Sequence, residues 1–170
     1  MKSIADSAVV RTIAKIQQTV VLLLLIAIPV LVVIQVLLRY VLQMPLMGIE
    51  EIMLFPIIWL YLLGGSVASY ERDHIQAGII ALYIKKPRSL AIFYFIRTVI
   101  STIISLWLTY WAFEYFLYSL GIWKLSNLLY LPLFFGEAAL FVGLLLMTFF
   151  TIVELIDRYN AVGAARESNS

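Results

Sequence analysis

Cysteine is absent and histidine occurs once, at His74. The first absence excludes disulfides, thiolate metal sites and iron–sulfur clusters. The lone histidine excludes a bis-histidine haem and a two-histidine metal site. Charge is also scarce: charged residues make up 13% of the 170-residue chain, against about a quarter in an ordinary soluble domain. A net charge of +2, with no basic tract interleaved with stacking aromatics, gives no basis for nucleic-acid binding. No Ser-x-x-Lys, Gly-x-Ser-x-Gly or phosphate-cradling Gly-x-x-x-x-Gly-Lys pattern occurs. The expectation is a protein that is not an enzyme and carries no cofactor or metal.

Apolar residues are what the chain has in abundance. They account for 64% of the sequence, and the mean hydropathy is +1.01. Such a chain cannot cover itself with polar surface, so lipid must be its main solvent. A spanning helix needs about 20 apolar residues, and four segments qualify: 19–42, 49–69, 89–115 and 128–156. The fold class expected is all-α, a single integral membrane domain covering 1–170. Pro29 and Pro56 fall inside the first two spans, where lipid-embedded helices tolerate kinks; Pro87 and Pro132 fall near the starts of the last two.

Two further elements are expected. At 100° per residue, Val9, Ile13, Ile16 and Val20 share an arc opposite Ser7, Arg11, Lys15 and Gln18, the pattern of an interfacial amphipathic helix ahead of the first span. Between the second and third spans, HIQAGIIALYI is too short to cross and should lie along the membrane face, held by Lys85, Lys86 and Arg88. With the N-terminus inside, nine cations fall on the cytoplasmic side: Lys2, Arg11, Lys15, Arg72, Lys85, Lys86, Arg88, Arg158 and Arg166. The other side keeps two, Arg39 and Lys124. The positive-inside rule therefore places both termini in the cytoplasm. Trp107, Tyr110, Trp111, Tyr115, Tyr118, Trp123 and Tyr130 gather around the outer connection, as an aromatic belt or a protein contact.

The remaining charges sit near the span ends. Glu50 and Glu51 open the second span, and two readings are open for them. Carboxylates favour a helix N-terminus, worth about 0.3–1 kcal/mol each; alternatively one of them meets Arg39 or another subunit. Arg39 either snorkels to the interface or reaches a glutamate. Arg97 lies inside the third span, reaching the inner interface or pairing with Glu154 or Asp157. Glu114 and Glu137 are outer-side candidates for similar pairing. Gly64-x-x-x-Ala68 and Ala139-x-x-x-Gly143 permit close helix contact, within the chain or against a partner. The central layers read as mainly Leu, Ile, Val and Phe, without dispersed carboxylates or a broken Gly-rich helix for a substrate.

The order of features is more specific than any one of them. Arg39-Tyr40 ends the first span, a short proline-containing loop leads to Glu50-Glu51, WLYLLGG runs from Trp59, and His74-Ile75 stands at the inner turn. A basic-proline turn and two more spans follow. Over nearly its whole length the chain resembles the small (Q-type) membrane subunit of tripartite ATP-independent periplasmic (TRAP) transporters, and looks most like those of sialic-acid systems. Gly48-Ile49 stands where many relatives place a tryptophan, and Gln76-Ala77-Gly78 where a valine and an acid are common.

The resemblance implies a bacterial inner-membrane protein with two partners, a large membrane subunit and a periplasmic substrate-binding protein, besides membrane lipids. It implies that the large subunit moves an organic acid with sodium by an elevator-type motion while the small one braces it and helps dock the binding protein. It also marks Arg39, Tyr40, Glu50, Glu51, Trp59, Gly64 and His74 as interface or structural positions; Arg97, Glu114, Lys124 and Glu137 join them from their placement. A small four-helix multidrug exporter is the alternative, but its first span should carry a deep glutamate, whereas this one offers Gln35 and Arg39. An anchor subunit of another complex is a further alternative.

Overall fold

The computed structural model describes residues 7–43, 48–71 and 87–167, with backbone alone at 87–88 and 164–167. Among them run four helices: α1 (Ala8–Tyr40), α2 (Gly48–Glu71), α3 (Pro87–Ile122) and α4 (Phe134–Glu167). Each is long and apolar enough to cross a membrane, and the all-helical membrane fold is as expected. His74 and the HIQAGIIALYI segment lie outside the described residues.

Local chemistry sets the helix ends. Ser7 caps α1, its Oγ accepting from the Val10 amide at 3.4 Å. Pro87 opens α3, where its missing N–H leaves no carbonyl unpaired. Several boundaries differ from the sequence reading: α3 runs to Ile122 instead of residue 115 and α4 to Glu167 instead of residue 156, and two differences change the architecture. No break separates the amphipathic segment from the first span, so the two expected elements are one 33-residue helix, about 50 Å long. Its buried residues are Val10, Ala14 and Gln17, while Val9 and Ile16 of the expected apolar face stay exposed. The fourth helix starts at Phe134 instead of residue 128. The apolar residues before it form a hairpin: the Ser126 amide donates to the Leu131 carbonyl at 2.8 Å, and the Leu133 amide to the Lys124 carbonyl at 2.9 Å. Hydropathy could not distinguish Leu128–Leu133 from a helix, but Pro132 and the positive φ of Tyr130 (53°) oppose one.

The helices alternate in direction. One end of the molecule, the hairpin end, carries the end of α1, the start of α2 and the α3–α4 connection; the other, the terminal end, carries the start of α1 and the end of α4. Packing follows the order α1, α2, α4, α3: α4 lies between α2 and α3, and α1 lies against α2. The four form a row, not a closed bundle. At the terminal end alone, α1 reaches across, packing Val10 and Ala14 on Phe150 and Val153, with Ile13 and Tyr70 around them.

The interior is made of small and hydroxyl-bearing residues. Ala112, Ala138, Ala139, Ser66, Thr102 and Ser119 are buried, whereas Leu23 and Ile103 are each 61% exposed. Lipid tails are as apolar as leucine, so long aliphatics gain nothing by burial there; helices meet through close packing and hydrogen bonds. The Ala139-x-x-x-Gly143 motif acts within the chain. A Cβ on Gly143 would stand 2.7 Å from Leu62 Cβ and 3.2 Å from its carbonyl oxygen, so only glycine lets α2 and α4 approach this closely. Gly64, by contrast, faces open space.

Candidate functional site

The two adjacent glutamates point to different tasks because successive helical residues project about 100° apart. Glu50 is exposed and accepts from Gln35 Nε2 at 3.0 Å, tying the start of α2 to α1. Glu51 grips the hairpin. Its carboxylate accepts from Ser126 Oγ at 2.5 Å, the Leu128 amide at 2.9 Å and the Leu129 amide at 3.0 Å. Ser126 Oγ in turn accepts from the Leu131 amide at 3.2 Å. One carboxylate thus satisfies the Leu128 and Leu129 amides at the turn and, through Ser126 Oγ, steadies the Leu131 amide.

The other rim charges are engaged locally as well. Glu137, in the first turn of α4, accepts from Tyr115 Oη at 2.8 Å and from Ser119 Oγ, fixing the end of α3 against α4. Trp59 donates its indole N–H to the Phe135 carbonyl at 2.9 Å, joining α2 to the same turn. Lys124 stands 5.6 Å from the Tyr118 ring centre, and Arg39 stands 5.8 Å from that of Tyr40. Two of the pairings the sequence left open are not formed among the described residues. Among the described residues no ion pair joins Arg39 to Glu50 or Glu51, whose oxygens are taken by neutral donors. Nor does Arg97 pair with Glu154, which is held one turn along its own helix by Arg158 at 3.2 Å. Glu114 is exposed.

A half-open cleft of about 450 Å³ lies beneath this rim, between α2, α4 and the hairpin, with Glu51 and Glu137 at its mouth and Phe55, Ile58, Leu62 and Leu140 along its walls. A second cavity of about 270 Å³ lies toward the terminal end, lined by Ser69, Arg97, Ser101, Ser105, Thr151 and Glu154 among others. Gly136, Leu140, Leu144, Met147, Thr151 and Glu154 of α4 recur at intervals of three and four, so both cavities open on one face of that helix.

The sequence reading missed the hydroxyl seam between α3 and α4. Ser105 and Thr148 hydrogen-bond across it, Thr109 and Thr148 oxygens lie 2.7 Å apart, and Thr109 Oγ1 lies 3.2 Å from the Leu144 carbonyl. The middle of the protein is therefore less uniformly aliphatic than expected. The signal was present: Thr98, Thr102, Ser105 and Thr109 fall on one stripe of α3. Partners of the rim glutamates were missed too, although Ser126-Asn127 ahead of Pro132 is a turn signature.

Chemically, the rim is a structural clasp. Hydroxyls and amides engage Glu50, Glu51 and Glu137, an indole engages the Phe135 carbonyl, and together they join four helices and a hairpin. Comparison with known proteins identifies the family. The family model described as tripartite ATP-independent periplasmic transporters, DctQ component, matches residues 28–161. No curated protein matches the chain.

Proposed function

Since the chain belongs to the DctQ component family of tripartite ATP-independent periplasmic transporters, we propose that it is the non-catalytic brace of a sodium-driven importer of an organic acid, with sialic acid the first candidate. Family membership and four apolar spanning helices make it a multi-pass inner-membrane component of a transport system. The proposed division of labour leaves solute and sodium to the large membrane subunit, while this chain widens and steadies that subunit's seat in the bilayer.

The observation that carries this reading is the side-by-side order α1, α2, α4, α3. A row presents two broad faces for a neighbour or lipid, whereas a closed bundle turns its polar residues inward on a shared axis. The Lys and Arg residues at the terminal end, Lys2, Arg11, Lys15 and Arg158 among them, support a cytoplasmic position for both termini and a periplasmic one for the hairpin end. There the Glu51-held hairpin presents Tyr130, 71% exposed and with φ of 53°, together with Trp123. An exposed aromatic held in a sparsely populated conformation by a rigid turn suits a docking surface for the substrate-binding protein. Positions such as Gly64, where an added Cβ would have no described atom within 4 Å, suit contact with the large subunit.

Co-expression with a large membrane subunit of such a transporter tests the proposal. The two polypeptides should copurify in mild detergent, each should be degraded faster alone, and the pair should retain the binding protein. Independent accumulation of both, with no complex, would contradict the brace.

A further inference from the structure

We propose that the cavity near the terminal end binds the phosphate of an anionic phospholipid, with one acyl chain running toward the middle of the protein. Arg97 lies ten residues beyond Pro87, about 15 Å along α3. Its guanidinium is permanently charged, and no residue among those described hydrogen-bonds or ion-pairs with it. The acid on the same wall, Glu154, is neutralised by Arg158, whose Nε and Nη2 each stand 3.2 Å from its Oε1. Among the described residues, the lining thus carries one positive charge with no acid bonded to it, at a depth where such a charge is costly unless an anion meets it.

The walls are graded as a lipid is graded. Ser69, Thr98, Ser101 and Thr151 surround the charged end, and Ile104, Leu108 and Leu144 line the part toward the middle. From Arg97 to Leu108 that gradient covers about 16 Å, the reach of a phosphate, its glycerol and the first part of a chain. Size separates the possible occupants. A partner helix about 10 Å across would need roughly 1200 Å³ over about 15 Å of its length, more than the roughly 810 Å³ of space between these walls that no atom fills. The half-open side admits a chain from the surrounding leaflet. A guanidinium and neighbouring hydroxyls are a phosphate-binding donor set. A lipid of net negative charge is favoured over a zwitterionic one, whose own ammonium competes for the phosphate.

The test is native mass spectrometry on the full-length chain, purified in mild detergent with any copurifying subunit retained, after exchange into mixtures of phosphatidylglycerol and phosphatidylcholine. One phosphatidylglycerol per chain should persist in preference to phosphatidylcholine. R97Q should reduce its retention at least about tenfold, the loss expected for a charge-assisted contact, and R97K should reduce it less. T151F fills the cavity without changing its charge and should also expel the lipid, so it decides the matter if R97Q does not fold. Equal retention by wild type, R97Q and T151F would overturn the proposal. Displacement of the lipid by inorganic phosphate alone would overturn the lipid as the source of the anion. Loss of a copurifying polypeptide from R97Q with lipid retained would assign Arg97 to a protein contact instead.

Discussion

The substitution Gly143→Ala tests how α2 and α4 are held together. An added Cβ would sit 2.7 Å from Leu62 Cβ, where carbon atoms normally approach to about 3.5–4.0 Å. The shortfall is about 1 Å. It cannot be relieved by a rotamer change, because Leu62 Cβ and the carbonyl 3.2 Å away both move only with the α2 backbone. Overpacking of this kind costs about 1–3 kcal/mol, offset in part by the roughly 0.5–1 kcal/mol that alanine gains over glycine in a helix. The net expectation is a loss of about 1–2 kcal/mol. Gly64→Ala is the matched control: nothing lies within 4 Å of its added Cβ, so it should be neutral or slightly stabilising. Leu62→Ala should not rescue Gly143→Ala, since the clashing Cβ remains. Equilibrium unfolding in detergent, followed by tryptophan fluorescence, reads all three. Equal stability of the two alanine variants would refute the claimed approach of α2 and α4.

Glu51→Gln should release the hairpin, seen as faster amide hydrogen exchange at Leu128, Leu129 and Leu131, while Glu50→Gln should leave those amides protected; equal exchange in both variants would show that Glu51 does not hold the turn. Tyr130→Gly should relieve a left-handed conformation costing about 1–2 kcal/mol for a residue with a Cβ, raising stability while weakening retention of the binding protein. Unchanged docking would remove Tyr130 from that surface. Thr148→Val should cost about 0.6–1.7 kcal/mol by removing bonds to Ser105 and Thr109. Thr151→Val should cost less, because that hydroxyl bonds only the Met147 carbonyl of its own helix.

The legible and illegible parts of the sequence divide along physical lines. Lipid imposes a length and an apolar composition on anything that crosses it, so the four helices and the opening of α3 at Pro87 could be read directly. Packing order could not. The helix faces that meet each other and those that meet lipid are both apolar, and only the smallness of Ala139 and Gly143 hinted at contact. The hairpin was hidden because Leu128–Leu133 has the hydropathy of a span, and its hydrogen bonds depend on a carboxylate 75 positions away from Ser126. The rim residues stand out in the sequence as charges near helix ends, and their partners were sought among opposite charges, the helix terminus or another subunit. Neutral donors took those places: Gln35, Ser119, Ser126 and turn amides. Tyr115 appeared only as a member of an aromatic belt, although its hydroxyl engages Glu137.

Solute uptake into proteoliposomes tests the central claim most directly. Vesicles should be prepared with this chain alone, with the large subunit alone and with both, each supplied with binding protein, labelled sialic acid and an inward sodium gradient. The account predicts no uptake by this chain alone and full uptake only when both membrane subunits are present. Sodium-driven uptake by this chain alone would contradict it.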